Sequence, residues 1–385
     1  MYIYILGREK DLCLAELEAK LGSVHLMNDE VASSEISADI GQLGGSIKTG
    51  RIVGKKISNL SNLQGEITKI LMESGFESKF SFGLSYYGKS KMNFGPIGIK
   101  IKRELQKSGL KPRLVLPKSD NRLNAASVKH NKLISSGREF IIIQNNDSMS
   151  LAITEGVQDI DDYSKRDYEK PCRDRKVGML PPKLSQIMIN LARPKPQTLI
   201  VDPFCGSGGL LMEASLMGYE SSGSDISDNM INCSNENIEW FKDNYPNFKS
   251  ITVDTAIDAT KKILPNKDYV VVTEGFLGTN FLSNPTKNLV KEQVSELKDL
   301  YIRFFKNILD QKTLPDSVCT CFPFWKFNDG TVELNLIDEI ANLGYTITEF
   351  KSVRRSILNY HREGQFTGRQ IVVFKPNKEK SNVKD

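Results

Sequence analysis

The sequence predicts an α/β protein: a doubly wound parallel sheet over residues 179–376, closed by an antiparallel hairpin and preceded by a smaller α+β region. Three observations carry this prediction. Residues 198–209, Thr-Leu-Ile-Val-Asp-Pro-Phe-Cys-Gly-Ser-Gly-Gly, run from a β-branched strand through an acid into a glycine turn, and the helical stretch Leu210 to Met217 follows. Beyond Thr198, short apolar strands alternate with helix-spaced apolar residues, the pattern of a parallel sheet covered on both faces. At 385 residues the chain is also long for one core, so two or three domains are expected.

The elements follow in order. Met1 to Leu6 is apolar but is cut by Arg8, Glu9 and Lys10, and no basic stretch precedes it, so it reads as a buried strand rather than an export signal. Asp11 is expected to cap a helix carrying Leu14, Leu17 and Leu21 at helical spacing. This first segment, 1–60, forms a small α+β unit. The second, 61–157, places Ile97, Ile101 and Leu105 on one helix face with Lys100, Arg103 and Lys107 on others, then strands around Arg113 to Leu116 and Phe140 to Ile143. Between Ser81 and Phe140 there are thirteen Lys or Arg against three acids. That local excess is the footprint of a phosphate-backbone partner, the plainer alternative being a solvated basic face.

A polar connector, 158–178, leads to a proline-started helix with Leu184, Ile187, Met188 and Leu191 on its buried face. Strands are then expected at 198–202, up to Asp225, at 250–254, at 268–273 and near Val318. A long helix carries Val290, Val294, Leu297, Tyr301, Phe304 and Ile308, and the polar tail 377–385 is expected to be disordered. Hydrophobic residues at 39% and charged residues at 26% describe an ordinary globular protein, no apolar run approaches a bilayer span, and the cytoplasm is the expected compartment. Six scattered cysteines without a C-x-x-C pair, and only three histidines, support neither a zinc site nor a disulfide framework, and no metal is expected.

The glycine turn carries the chemistry. A buried strand delivers Asp202 to its carboxyl end, and Gly206, Gly208 and Gly209 allow backbone amides to approach a ligand where a Cβ would clash. The dinucleotide fingerprint G-x-G-x-x-G would need a glycine where Leu211 stands. An acid at the strand end suits an ammonium or hydroxyls better than a phosphate, which favours S-adenosylmethionine. Asp225, 19 positions beyond Gly206, can accept from ribose hydroxyls, and Asp254 at the next strand end can accept from an adenine amine; the plainer role for each is a helix cap.

The string Asp202-Pro203-Phe204-Cys205-Gly206-Ser207-Gly208-Gly209 resembles the first motif of the amino-directed class I methyltransferases, which methylate exocyclic amines of bases. The run Leu123 to Leu133 followed by Gly137 resembles a THUMP domain, and the segment before it the ferredoxin-like domain that usually precedes one. The connector and the helix 181–191 resemble those of THUMP-containing tRNA guanine-N2 methyltransferases. Together the resemblance implies a Rossmann-like methyltransferase domain at 179–376 behind an RNA-binding region, with S-adenosylmethionine as donor. It implies transfer to the N2 amine of a guanosine in tRNA at position 10. Cofactor contacts are implied at Asp202, Pro203, Phe204, Cys205, Gly206, Gly208, Asp225, Ile226, Asp254 and Thr255. RNA contacts are implied at Lys100, Arg103, Lys129, His130, Lys132, Arg362 and Arg369.

Such enzymes accept the amine hydrogens on an Asp or Asn followed by Pro-Pro and an aromatic. This chain has Thr273-Glu274-Gly275-Phe276 instead. Aligning the aromatics puts Thr273 at the acid position, whereas aligning the carboxylates puts Glu274 there, and both alignments stay open. Glu274 is expected to accept from the amine and Phe276 to stack on a flipped base. His361 is read as a surface or RNA-contact residue. Methylation of another RNA or of adenine N6 in DNA, a catalytically silent RNA-binding protein that holds the cofactor, and a small activating subunit all remain open.

Overall fold

A computed structural model describes residues 1–377 except 77–78, 90–91, 119, 146–147, 174–178, 280, 282–284 and 363. The tail 378–385 and part of the connector lie outside the described residues. The chain forms two compact units, one of residues 1–17 and 21–162, the other of residues 18–20 and 163–385.

The N-terminal unit is built on one eight-stranded sheet. In chain order it contains β1 (Tyr2–Leu6), α1 (Lys10–Leu21), β2 (His25–Asn28), β3 (Val31–Ser34), β4 (Ser46–Ile57) and α2 (Leu60–Glu73). Then come β5 (Lys79–Tyr87), α3 (Gly95–Lys107), β6 (Lys111–Val115), α4 (Ala125–His130), β7 (Arg138–Asn145) and β8 (Ser148–Val157). The strand order is β2-β3-β1-β4-β8-β7-β5-β6. The long strand β4 pairs antiparallel with β1 on one side and β8 on the other. Segments 1–60 and 61–157 therefore share a sheet, and residue 60 falls inside one compact unit.

Helix α1 starts at Lys10, so Asp11 sits in its first turn rather than at the cap, where its charge still favours the positive end of the helix. Asn59 and Asn124 supply true caps, accepting from Asn62 N at 2.9 Å and Ser127 N at 2.7 Å. Ile97, Ile101 and Leu105 are buried, as their spacing requires.

A charge pair lies at the centre of this unit. Lys48 on β4 and Glu139 on β7 form an ion pair although their side chains are 1% and 0% exposed. Glu139 also accepts from Ser85 Oγ and Thr154 Oγ1, each at 2.6 Å, and Lys48 donates to Leu123 O at 2.6 Å. The carboxylate and the ammonium are thus both solvated by protein groups, without which neither charge could remain buried.

The C-terminal unit takes in α5 (Ile160–Tyr168), in the connector, from Tyr163 onward. It contains α6 (Pro182–Leu191), β9 (Leu199–Asp202), α7 (Gly209–Leu216), β10 (Ser221–Gly223), α8 (Asp228–Asn244), β11 (Ile251–Val253), β12 (Tyr269–Thr273) and α9 (Lys287–Leu309). It ends with β13 (Val318–Phe327), β14 (Gly330–Glu333), α10 (Ile337–Leu343), β15 (Tyr345–Ile347), β16 (Leu358–Tyr360) and β17 (Thr367–Pro376). The sheet order is β11-β10-β9-β12-β13-β17-β15. Its first five strands are parallel and β17 inserts antiparallel between β13 and β15. This is a Rossmann-like α/β sheet, and its ligand crevice opens at the carboxyl ends of β9, β10 and β12, where the strand order reverses. The buried face of α9, Val290, Leu297, Tyr301, Phe304, Phe305 and Ile308, packs over the sheet.

No disulfide framework is expected from the sequence, yet the structure contains one bond. Cys172 in the connector is bonded to Cys233 on α8, 61 positions away. Scattered cysteines gave no spacing signal because the fold alone brings these two together. Cys13, Cys205, Cys319 and Cys321 are free and buried. Among the described residues no helix is long and apolar enough to cross a membrane, and no cluster of potential metal ligands occurs.

Replacing Lys48 by Met, which strands the Glu139 carboxylate, should cost about 3–5 kcal/mol in urea unfolding, whereas the double change Lys48→Met with Glu139→Leu should cost markedly less.

Candidate active site

The site is assembled at the end of β9. Asp202, the last residue of that strand, is buried and accepts from Phe204 N at 3.1 Å. Burial pushes its carboxyl up to about 7, against the hydrogen bonds from the Thr273 side chain and Phe204 N and with the help of the nearby Asp225 and Glu274 charges. The chain then turns back through Cys205, whose N–H donates to Ser224 O at 2.8 Å, into two left-handed glycines, Gly206 at φ 50° and Gly208 at φ 77°. A Cβ on Gly208 would lie 2.4 Å from Ser234 Oγ, and one on Gly223 in the neighbouring strand would lie 2.5 Å from Leu211. These glycines let strand, turn and helix α7 pack at backbone distance.

Asp225 braces this turn: Oδ2 accepts from Gly206 N and Oδ1 from Ser227 N, each at 3.0 Å. Each oxygen keeps a lone pair that can meet a ribose hydroxyl. Beside it Ile226 is 73% exposed, an apolar cover with nothing of the protein upon it. Asp254 follows β11 as expected but forms an ion pair with the buried ammonium of Lys262, so part of its capacity is used within the protein. Thr255 is exposed beside it. Pro203 is buried, and Phe204 packs edge-on against Phe304 with ring centroids 5.2 Å apart.

The loop after β12 brings the second group of predicted residues to the same edge. Thr273 is fully buried and its Oγ1 accepts from Gly275 N at 3.1 Å, so it shapes the loop. Glu274 lines the same cleft as Asp202, Phe204, Gly206 and Ser207. Gly275, at φ 71°, leaves room for Tyr301, whose hydroxyl lies 3.1 Å from Phe276 O and 3.0 Å from Cys321 O. A Cβ on Gly275 would stand 2.3 Å from that hydroxyl. Phe276 is left 48% exposed.

Arg369 is corrected from a phosphate contact to an internal residue. It is 4% exposed, and its Nε donates to Glu274 Oε1. Strand β17 is inserted between β13 and β15, and the register that sets Arg369 opposite Pro323 and Tyr360 points it beneath the loop rather than to solvent. Arg362 is exposed. His361 is bonded to Gln365 O through Nε2 at 2.9 Å and lies near the Phe324 ring.

In the N-terminal unit, His130 and Lys132 border one cleft with Lys79, Lys111 and Arg113. Lys129 is exposed but ion-paired with Asp159 at 2.7 Å, and Lys100 and Arg103 are exposed on α3.

Sequence reasoning missed Tyr301 as the brace of the Phe276 loop, although it was placed on the buried face of α9. It also missed Asn237, whose side chain joins Cys172 N and O to Ser207 O. Neither carries a motif, since each acts through hydrogen bonds to residues far along the chain.

Residues 171–273 match a protein-family profile, UPF0020, described as an RMKL-like methyltransferase domain. This part of the chain is thus similar to a methyltransferase domain. Short segments are similar to proteins named tRNA (guanine(10)-N2)-dimethyltransferase. The segment is 44% identical over 64 residues in Methanothermobacter thermautotrophicus, 51% over 49 residues in Methanocaldococcus jannaschii and 42% over 62 residues in Pyrococcus abyssi. The aligned segments span 17%, 13% and 16% of this chain and only 19%, 14% and 18% of those relatives' lengths. A solved structure of TrmN from Thermus thermophilus aligns with 97% of this chain and 99% of its own, at 15% identity and a TM-score of 0.49, a likeness too slight to bear on activity.

Gly208→Ala should destabilise the domain by about 1–3 kcal/mol, because a left-handed backbone and the Ser234 contact both oppose a Cβ; differential scanning calorimetry against the parent protein checks this.

Proposed function

We propose that this protein transfers a methyl group from S-adenosylmethionine to the exocyclic N2 amine of guanosine 10 in tRNA, in the cytoplasm. The observation that carries the reading is the methyltransferase-domain match ending at Thr273, with a carboxylate, Glu274, that lines the glycine-turn cleft immediately beyond it and an exposed aromatic, Phe276, two residues further on. The segment relatives named for guanine-10 N2 methylation direct the choice of amine and RNA.

The residues present fit the donor. Two left-handed glycines keep their own positions in the turn free of side chains, Asp225 has lone pairs to offer a ribose, Ile226 offers an apolar face to an adenine, and Asp202 can meet an ammonium. When bound, the donor supplies an electrophilic methyl group on a sulfonium. The protein's own task is to hold the amine. The guanine N2 lone pair is drawn into its ring, so the site must accept an N–H hydrogen and orient the nitrogen. Glu274 Oε2 is the acceptor, with Oε1 occupied by Arg369, and the Phe276 ring stacks on the base taken out of its helix. After transfer the nitrogen carries a proton that leaves to water, so no strong general base is needed.

The N-terminal unit supplies the RNA contacts in this reading, as a ferredoxin-like and THUMP pair. His130, Lys132, Lys111 and Arg113 around one cleft, and Lys100 and Arg103 on α3, match phosphates rather than base edges. The second reading, a silent cofactor-holding RNA-binding protein, is favoured by one observation: the acceptor carboxylate is already neutralised by Arg369.

Incubating unmodified tRNA with labelled donor and analysing the nucleosides by mass spectrometry decides between them. N2-methylated or N2,N2-dimethylated guanosine is expected, while tight tRNA binding without product supports the silent protein. Glu274→Gln should lower kcat by about 100-fold, and unchanged turnover would remove Glu274 from the mechanism.

Because Asp202 is held neutral up to about pH 7, it gains its charge only above that pH. A ligand that presents an ammonium to it binds the ionised form. Calorimetric affinity for S-adenosylhomocysteine should therefore rise between pH 6 and 8 and level off above, and in Asp202→Asn the bend should vanish.

A further inference from the structure

Lys170 stands in the connector, outside every motif, and is 4% exposed. Its ammonium reaches the start of α7, where it would lie 3.5 Å from a Cβ on Gly209, and it lines the cleft with Asp202, Gly206 and Glu274. Burial pulls its pKa down, with Glu213 and Asp167 pulling the other way. Glu213, however, spends its two oxygens on Arg166 Nε at 2.6 Å and Gln186 Nε2 at 2.9 Å. Among the described residues the Lys170 ammonium forms no hydrogen bond or ion pair. The helix start it faces is likewise uncapped: Gly208 offers no side chain, and the first turn of α7 contains no acid.

A buried, unpartnered cation beside an uncapped helix N-terminus is two positive potentials converging on one point of the cleft. The segment carrying Lys170 is held there firmly. Two residues on, Cys172 is bonded to Cys233, and its backbone N–H and C=O are both met by Asn237, at 3.0 and 2.9 Å. Asn237 also donates to Ser207 O at 2.9 Å, tying the connector to the glycine turn itself.

We propose that Lys170 and the N-terminus of α7 form the carboxylate subsite of the cleft, so that Lys170 selects a nucleoside ligand that carries a free amino-acid carboxylate. This rests on the reading of the cleft as an S-adenosylmethionine site. Asp202, across the same cleft, takes the ammonium of that amino acid, and the two residues together recognise its zwitterion.

The test compares, on the full chain, calorimetric binding of S-adenosylhomocysteine with that of its decarboxylated counterpart, S-adenosyl-3-thiopropylamine, which keeps the nucleoside, thioether and ammonium. The wild-type protein should favour the carboxylate-bearing ligand by about 10- to 100-fold. Lys170→Met should lose most of that preference by weakening S-adenosylhomocysteine alone, and Lys170→Arg should retain it. Equal weakening of both ligands in Lys170→Met, or no weakening, overturns the proposal. Should Lys170→Met not fold, the wild-type ratio decides, and a value near one overturns it. Wild-type protein that binds neither ligand defeats the S-adenosylmethionine reading and this subsite with it, whereas binding without preference defeats only the subsite.

Discussion

Left-handed backbone at Gly206 and Gly208 is the constraint on which the C-terminal site depends. It reverses the chain within a few residues of β9, so that the strand can stop at Asp202 and α7 can begin at Gly209 with no side chain at the two glycine positions. Asp225 fixes the reversal from the adjacent strand end through Gly206 N. The same carboxylate thus serves the protein's own backbone and faces the ligand space. This economy explains why an acid at that strand end can be both a structural brace and a binding group.

Charges at this edge are placed by partners rather than by solvent. Asp202 is buried and raised, Glu274 is held by Arg369, Asp254 by Lys262, and Glu213 by Arg166. Where both partners are buried, as in Glu213 with Arg166, the pair fixes a geometry that a solvated side chain would not keep. Removing one partner leaves the other charge stranded, so such pairs enforce arrangement more than they add stability. The loop Thr273 to Phe276 illustrates this: Thr273 and Tyr301 hold its backbone from below while Phe276 remains outside.

Much of the fold was legible because it rests on local signals. The run ending at Asp202, the glycines after it, and the apolar spacing of Ile97, Ile101 and Leu105 or of Val290 to Ile308 each have one dominant structural solution. The short strands β2 and β3 and the span of β4 were not legible, since their pattern of small and polar residues makes sense only against β1 and β8. For the site, strand-end acids could be read from sequence because a parallel sheet always presents those positions to its crevice. Arg369, Lys170 and the Cys172–Cys233 pair could not, because each depends on a contact across tens of residues. A basic residue near the end of the chain looks like a phosphate contact until the register of β17 turns it inward.

The Cys172–Cys233 bond encloses α6, β9, α7 and β10 within one covalent ring. Every residue of the glycine turn lies inside that ring. The unfolded chain is therefore denied the widest separations of the ring's two ends, which lowers its entropy in the one region where backbone conformation is most demanding. The ring closes only after residue 233 has been made, when the whole turn already exists as chain. A linkage of this kind is uncommon where thiols are kept reduced, outside the disulfide-rich interiors of hyperthermophiles, so the fastening ties the integrity of the cradle to the redox climate of its cell.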